Sequence, residues 1–365
     1  MNRVRRSLII LAVSLVVTVV AMIVRWLNAG GAFTEVKPGF DGTCTVVASA
    51  PGPGAIAIDE EDRLAFVATA DRRAFKKGRT SPGDGLYFFA LANPEAGLKK
   101  VEGTPSGFHP RSISVYRAHG GGLTLMAINM PVGGEPSIAI FDVAMKEDGT
   151  PALKERTAIT SGFLVRPEGI AAVGPDRFYV SNSGTSATAF GRFLETYALM
   201  PGANVLYFDG NLFHVAADDL SDAHGILVSA DGAHVYVASK GGRVLYAFAR
   251  GQLSGQLSEE GSLSIDSGLD GIGSDAKGGL LVAGTPRPFD EDRYRDNPSG
   301  RRAPSQVFEV ALKNGIPQAS EPLYTNKGEQ LSDAASAAGM ANGHVFISSP
   351  LDKKILDCVL AGATD

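Results

Sequence analysis

Three residues that can do chemistry occupy the same place in three similar phrases of the chain. Glu168 opens EGIAAVGPDRFYVSN, His224 opens HGILVSADGAHVYVAS and Asp270 opens DGIGSDAKGGLLVAG. Carboxylate and imidazole side chains serve as general acids and bases, and together they also bind divalent metal ions. The recurrence therefore predicts that the fold brings a glutamate, a histidine and an aspartate to one place.

Two chemical interpretations of this set are open. A metal held by Glu168, His224 and Asp270 would polarise a carbonyl group and lower the pKa of bound water. Carboxylate oxygens favour Ca²⁺, whereas an imidazole ligand shifts the preference toward Zn²⁺, Mn²⁺ or Fe²⁺. Alternatively, the three side chains form a metal-free, salt-bridged cluster with Arg111, because buried carboxylates need compensating charge.

The same residues are candidates for direct catalytic roles, and we predict Glu168, His224 and Arg111 as the catalytic residues. The guanidinium of Arg111 could stabilise a developing oxyanion or hold a substrate carboxylate. Glu168 could act as a general base rather than as a metal ligand.

The elements that must position these residues form an internal repeat. Each copy is an apolar strand, a Gly/Asp/Lys turn and a second strand rich in β-branched and aromatic residues, often followed by a third strand. Copies lie at 54–69, 111–129, 168–182, 224–239, 270–284 and 332–349. Four-stranded sheets repeated around an axis make a β-propeller, so we predict an all-β, six-bladed β-propeller.

In a propeller the first strand of each blade lines the central channel. The residue at the leading end of that strand faces the mouth of the channel, where all blades converge. We therefore predict a ring at one opening. Its members are Gly54, Arg111, Glu168, His224, Asp270 and either Ser332 or Asp333.

The N-terminus reads as a membrane segment. Residues 7–24 carry no charge, three arginines precede them, and only Arg25 follows directly. The length is at the lower limit for spanning a bilayer, and the arginine excess favours an exported body. We predict an uncleaved signal anchor with a short linker at 1–30 and a propeller at 31–365 on the periplasmic or extracellular side. A cleaved signal peptide is the main alternative.

The chain has two cysteines, Cys44 and Cys358, near the two ends of the exported part. In an oxidising compartment such a pair favours one disulfide, which would tie the start of the ring to its end. Two unrelated buried thiols are the alternative.

Charge and motifs exclude several functional classes. The net charge of −5 and the pI near 5.7 give no basic surface for nucleic acid. The sequence contains neither a GxSxG elbow nor a GxxxxGK[ST] loop, so serine-hydrolase and nucleotide-binding interpretations have no support.

Two insertions interrupt the repeat. In AFGRFLETYALM, residues 189–200, apolar side chains recur near helical spacing. Phe190, Phe193 and Tyr197 are candidates for an apolar wall that binds a hydrophobic substrate, and a helix packed on the rim for stability is the alternative. The charged stretch at 286–304 is either a solvated loop or a lid.

The chain resembles the paraoxonase/arylesterase family, relatives of the senescence-marker protein and gluconolactonase propellers. The likeness is carried by VRPEGIAAVGPDRFYVSN, FGRFLETYALMPGANVLYF, DAHGILVSADGAHVYVAS and HVFISSPLDKKILDCVL. It implies a six-bladed propeller, an uncleaved apolar N-terminus and a disulfide between the ends, here Cys44 and Cys358. It also implies lactonase and aryl-ester hydrolase activity, a catalytic Ca²⁺ in the channel and a second, deeper Ca²⁺.

The family's calcium ligands are only partly matched. Asp270 matches a carboxylate of the catalytic calcium, while Glu168 and His224 stand where the family has asparagines. Gly54 and Gly271 replace a glutamate and an asparagine ligand.

Other functional positions of the family differ as well. Gly169 replaces the aspartate of the deeper calcium, and Arg111 and Met130 replace the two histidines of the catalytic dyad. The resemblance therefore extends to the fold more fully than to the chemistry.

Together these features predict a membrane-anchored, exported, metal-dependent hydrolase of small lactones or of aryl and other carboxylic esters. The predicted cofactor is a divalent metal, with Ca²⁺ favoured. The alternative is a non-catalytic propeller that binds a small ligand or a protein at the channel mouth, since propellers host both functions.

Overall fold

The computed structural model describes residues 2–48, 50–275, 277–340 and 342–362. Short strands dominate because apolar runs rich in β-branched and aromatic residues alternate with glycine-containing turns. The strands are β1 (Gly39–Phe40), β2 (Gly42–Ala48), β3 (Pro53–Asp59), β4 (Leu64–Thr69), β5 (Gly85–Ala90), β6 (Lys99–Lys100), β7 (Pro110–Arg117), β8 (Leu123–Asn129), β9 (Ser137–Met145), β10 (Pro151–Thr160), β11 (Pro167–Ala172), β12 (Phe178–Asn182), β13 (Ala203–Phe208), β14 (Phe213–Leu220), β15 (Ala223–Val228), β16 (His234–Ser239), β17 (Val244–Arg250), β18 (Leu257–Ser264), β19 (Gly268–Ser274), β20 (Leu280–Thr285), β21 (Ser305–Lys313), β22 (Ile316–Asn326), β23 (Ser336–Gly339), β24 (His344–Ser348) and β25 (Ile355–Leu360). The helices are α1 (Asn2–Ala29), α2 (Arg72–Lys76), α3 (Ala189–Tyr197) and α4 (Pro288–Asp296), with a 3₁₀ turn at Pro94–Ala96.

These strands form six antiparallel sheets arranged as the blades of a propeller. Blades 1 to 4 are the consecutive strands β3–β6, β7–β10, β11–β14 and β15–β18. Blade 5 is β19–β22 with β1 added at its outer edge, and blade 6 is β23–β25 with β2 as its outer strand. The first strands of neighbouring blades lie next to one another around the channel. The six-bladed propeller predicted from the repeat is confirmed.

Both ends of the propeller meet in blade 6, which closes the ring. Strand β2 pairs antiparallel with β25, and this register places Cys44 opposite Cys358. The two cysteines form a disulfide with Cα atoms 4.0 Å apart. The predicted disulfide is therefore present.

The core lies between the blades. The second strand of a blade is covered on both faces by neighbouring blades, so every residue of β4 and of β20 is buried. A strand buried on both faces reads as a continuous apolar run rather than an alternating one. The aromatic rings of Phe89 and Phe346, for example, pack edge to face across blades 1 and 6, with centroids 5.0 Å apart.

A β-bulge marks the predicted channel position in five of the six inner strands. In each case the pairing with the second strand slips where the channel residue stands. A bulge bends its strand and re-aims a side chain. The slips coincide with Gly54, Arg111, Glu168, His224 and Asp270.

Blade 6 differs from the prediction. Strand β23 begins at Ser336 and pairs with β24 in regular register, while Ser332 and Asp333 lie buried before it. Neither residue holds the ring position: Ser336 pairs with Ser348 as Gly169 pairs with Ser181, so the residue equivalent to Glu168 is Ala335. The reason is that the backbone N–H of Ser332 donates to Asp352 in a loop, at 2.9 Å, so the strand starts four residues later than the repeat suggested.

Helix α1 leaves the propeller at the rim of the channel mouth. Its segment Arg5–Ala29 is long and apolar enough to cross a membrane. At its C-terminal end the ring of Trp26 lies 4.6 Å from that of Phe289 and 5.6 Å from that of Tyr197. Arg243 also donates to the carbonyl of Ala29 at 3.2 Å. The apolar helix and the disulfide are consistent with a secretory route.

We expect removal of the disulfide to weaken ring closure. The Cys44→Ala/Cys358→Ala variant should lose about 2–5 kcal/mol of unfolding free energy, because the bond restricts an unfolded chain across a separation of 314 residues. Urea unfolding of the full chain in detergent measures this loss. A reductant should lower wild-type stability equally and leave the double variant unchanged; equal stability of both proteins would show that strand pairing alone closes the ring.

Candidate functional site

The leading ends of the inner strands open into a cavity of about 760 Å³. This volume lies within the range of small-molecule sites, about 300–1,000 Å³. The wall from the propeller is formed by Gly54, Arg111, Glu168, His224, Asp270 and Ser336. The remaining wall comes from the four helices, through Trp26 of α1, Arg72 of α2, Tyr197 of α3, and Glu291 and Arg295 of α4. Five of the six predicted ring positions therefore share one site, and neither Ser332 nor Asp333 lines it.

Local sequence signals fix the helices over the mouth. Asp71 caps α2 by accepting from two backbone N–H groups, and Thr188 caps α3 through the N–H of Gly191 at 3.0 Å. Helix α4 starts with Pro288, and its acidic first turn and basic last turn suit the helix dipole.

Serines of the second strands support the bulges. Ser181 of blade 3 donates to the carbonyl of His224 in blade 4, and Ser348 of blade 6 donates to the carbonyl of Gly54 in blade 1. A bulge frees backbone groups from the ladder, and buried backbone groups need partners. Each serine thus supports a channel residue on the adjacent blade.

Arg111 and Glu168 form an ion pair across blades 2 and 3. The second carboxylate oxygen of Glu168 accepts from Ser183 at 3.4 Å. Burial disfavours charge on Arg111, but the carboxylates of Glu168 and Asp270 outweigh it and raise the pKa of Arg111. The Arg111–Glu168 contact is the one expected for a salt-bridged cluster.

Both ring nitrogens of His224 face carboxylates. Nε2 lies 3.2 Å from Asp222 Oδ1, and Nδ1 lies 3.7 Å from Asp270 Oδ1. Burial alone would lower the pKa of His224, but Asp222, Glu168 and Asp270 raise it to about 10. The ring is therefore an imidazolium at neutral pH, and both of its N–H groups face carboxylates.

Lys240 joins the ring to helix α4. Its Nζ lies 3.2 Å from Asp270 Oδ2 and 2.6 Å from Glu291 Oε2, and Arg295 also pairs with Glu291. Burial opposes charge on Lys240, but Glu291 and Asp270 hold its pKa well above the ordinary value. Burial would raise the pKa of Asp270, but Lys240, His224 and Arg111 lower it. The cluster of Lys240, Asp270, Glu291 and Arg295 is fully ionised.

Asp333 lies buried beside this cluster. In the part of the chain that the structure describes, neither of its carboxyl oxygens has a hydrogen-bond partner. Burial and the neighbouring Glu291 carboxylate raise the pKa of Asp333 well above its ordinary value. Burial thus favours the neutral form of this carboxyl group.

A buried chain of side chains holds Arg72 against the Arg111 bulge. Arg72 donates to the carbonyls of Pro110 at 3.1 Å and Arg111 at 3.2 Å, and its Nη1 lies 3.3 Å from His109 Nε2. The Nδ1 of His109 lies 2.8 Å from Asp84. These partners assign the proton of His109 to Nδ1. Burial and Arg111 lower the pKa of Arg72 to about 9.

One of the three aromatic residues predicted on the insertion lines the cavity, and the ring of Phe193 packs 5.0 Å from that of Tyr197. Tyr197 lines the cavity. Phe190 is 71% and Phe193 52% exposed to solvent. Helix α3 is thus a rim helix with one aromatic ring at the site and two on the outer surface.

Several site residues were missed from the sequence. Lys240 directly follows the second strand of blade 4, the repeat position that holds Met130 in blade 2 and Ser183 in blade 3, so aligning that position would have found it. Glu291 and Arg295 belong to the charged insertion at 286–304. Both line the cavity, so the structure is closer to the lid than to the solvated loop. No repeat signal marks them.

The donor set does not fit the divalent ion that the family resemblance implies. Among residues 2–48, 50–275, 277–340 and 342–362, no three His, Cys, Asp or Glu side chains are grouped to hold a metal. Glu168 is paired with Arg111, and Asp270 with Lys240. A Cβ at Gly271 would lie 2.2 Å from the carbonyl oxygen of Ala335, so a side-chain ligand has no room there. The geometry does not support a metal at Glu168, His224 and Asp270.

Comparison with solved structures agrees with the fold. A luciferin-regenerating enzyme aligns with a TM-score of 0.54 and 13% identity, covering 88% of this chain and 97% of its own. A glucose dehydrogenase aligns with a TM-score of 0.52 and 11% identity, covering 88% and 100%. At these identities the likeness concerns the fold alone.

Comparison of sequences gives the family. Human serum paraoxonase/arylesterase 2 is 25% identical over 253 residues, 69% of each chain, and rat serum paraoxonase/arylesterase 1 is 29% identical over 179 residues, 49% of each chain. The family model described as Arylesterase matches residues 85–360. Because that match runs from β5 in the first blade to β25 in the last, the chain belongs to the arylesterase family.

Proposed function

We propose that this protein hydrolyses lactones or aryl and other carboxylic esters at the mouth of its channel. The observation that carries the proposal is the Arg111–Glu168 pair, which lines the cavity with side chains 32% and 16% exposed. The guanidinium of Arg111 can stabilise negative charge on a carbonyl oxygen, and the carboxylate of Glu168 beside it can accept a proton from water. Membership of the arylesterase family supports the same reaction class.

The charges at the mouth suggest the steps. Glu168 accepts a proton from a water molecule, and the water oxygen attacks the acyl carbon. The negative charge that develops on the carbonyl oxygen is stabilised by Arg111 and by the imidazolium of His224. Collapse of this intermediate breaks the acyl C–O bond, and Glu168 returns the proton to the leaving alcohol oxygen. In a lactone the same step opens the ring.

These steps use side chains only. The metal predicted from the sequence would polarise the carbonyl from Glu168, His224 and Asp270. The proposed reaction does not use this metal, because Glu168 and Asp270 are paired with cations and both nitrogens of His224 face carboxylates.

The placement of α1 supports a membrane-anchored protein whose mouth faces the bilayer. Trp26 lines the cavity, and Arg25 donates to the carbonyl of Leu199, beyond the end of α3, at 3.1 Å. Phe190 and Phe193 of α3 are exposed near this end of α1. An amphipathic helix with exposed aromatic residues suits a membrane interface. A hydrophobic substrate would then reach the site past Tyr197, with the propeller on the exported side.

Glu168→Gln tests the proposed base. The variant keeps the shape of the side chain but cannot accept the proton, so kcat/KM for a p-nitrophenyl ester or a chromogenic lactone should fall about 100-fold or more. Glu309→Gln is the matched control, since Glu309 lies on β21, away from the mouth, and its carboxylate pairs with Lys277. Equal rates for both variants would contradict the assignment. If the wild type hydrolyses no ester or lactone, the hydrolase proposal is wrong and the alternative, a non-catalytic propeller that binds a ligand, is favoured.

Trp26 is the only tryptophan of the chain, which makes the membrane proposal testable by fluorescence. In vesicles containing brominated lipids, Trp26 emission of the full chain should be quenched more by bromine near the headgroups than by bromine at the bilayer centre, as interfacial tryptophans behave. Intact mass should show that residues 1–30 are retained.

The control moves the tryptophan to Leu253, a fully exposed residue in the β17–β18 turn on the opposite face of the propeller. Trp26→Phe/Leu253→Trp should show no quenching. Unquenched Trp26, or a mature protein lacking it, would contradict anchoring at the mouth.

A further inference from the structure

The strongest cluster of buried charge in the channel is centred on a lysine that the proposed reaction does not use. Lys240 Nζ contacts Asp270 on β19 and Glu291 on α4, and Arg295 pairs with Glu291 from one helical turn further on. We infer that Lys240, together with Arg295, takes the place of a divalent cation, so that this channel is held together by the protein's own cations and not by a metal ion.

The contacts of Lys240 are those that a bound ion would make. It draws carboxylate oxygens from two separate elements to one point, while its own backbone directly follows the second strand of blade 4. The side chains of Lys240, Asp270 and Glu291 are 10%, 22% and 5% exposed. Buried carboxylates require a cation nearby, and the ammonium group provides it.

The charges of the cluster balance without a metal. Asp270 and Glu291 supply two negative charges, and Lys240 and Arg295 supply two positive charges. A divalent ion placed on the same oxygens would leave two uncompensated positive charges in a buried space, at a high cost in free energy. The ion and Lys240 therefore compete for the same carboxylates.

Removal of the ammonium group should convert the cluster into an ion site. The vacated position would face the carboxylates of Asp270 and Glu291, with Asp333 nearby. Both oxygens of Asp333 lack a hydrogen-bond partner within the described ranges. Several carboxylate oxygens around one position are the ligands that Ca²⁺ prefers.

The experiment measures metal content and thermal unfolding of the full chain in detergent. Wild-type protein purified without chelator should contain less than about 0.1 equivalent of any divalent metal by elemental analysis, and neither CaCl₂ nor EDTA should move its unfolding midpoint. Lys240→Met should unfold at a lower temperature, and millimolar CaCl₂ should raise that midpoint by about 5 °C or more, as expected for a ligand that binds only the folded state.

Lys277→Met is the matched control, because Lys277 lies in the solvent-exposed β19–β20 turn, where it pairs with Glu309 at 2.9 Å. It should show no response to CaCl₂. About one Ca²⁺ per wild-type chain, removed by EDTA with loss of stability, would overturn the inference. A folded Lys240→Met protein that responds to none of Ca²⁺, Mg²⁺, Mn²⁺ and Zn²⁺ would overturn it as well.

Should Lys240→Met fail to fold, the metal content of the wild type and its response to EDTA decide the question alone. None of these measurements needs a substrate. They therefore stand or fall separately from the proposed hydrolase activity.

Discussion

Charge buried in a protein must be compensated, and this constraint shapes the whole channel mouth. Each carboxyl group that lines the cavity has a cation within reach: Glu168 with Arg111, Asp222 with His224, Asp270 with Lys240, Glu291 with Lys240 and Arg295, and Asp292 with Arg295. For Asp333, which is buried beside them, burial and the Glu291 carboxylate raise the pKa. The pairs join blade 2 to blade 3, and blade 4 to blade 5 and helix α4, so compensation also ties elements of the site together.

Such a network works only on a rigid frame. The disulfide and the pairing of β2 with β25 close the ring, and the fully buried second strands fix the spacing between blades. Serines on those strands then support the bulged backbone of neighbouring blades. The side chains of Arg111 and Glu168 are therefore set in place by packing and hydrogen bonds, without help from a ligand, which is the preorganisation that electrostatic catalysis needs.

The sequence predicts the ring of blades far better than it predicts which cations compensate the buried carboxylates. The repeat places Arg111, Glu168, His224 and Asp270 at one mouth because the bulge falls at the same point of each copy. It fails in blade 6, where the small residues of SDAASAAG give no marker of where the strand begins. It also fails for Arg72 and Glu291, because these partners come from helices inserted outside the repeat, and no periodic pattern specifies which charge they present.

The bulges carry a consequence for how this fold diversifies. At His224 and Gly54 the bulged backbone is supported by a serine of the neighbouring blade and not by the side chain that the bulge displays. Glycine, arginine, glutamate, histidine and aspartate occupy five equivalent bulges of one molecule. The same backbone geometry thus accepts side chains of different chemistry, while the charges that they carry must still compensate one another, as those of Arg111 and Glu168 do. A change of chemistry at one bulge therefore calls for a matching change at the bulge or helix that supplies its partner charge.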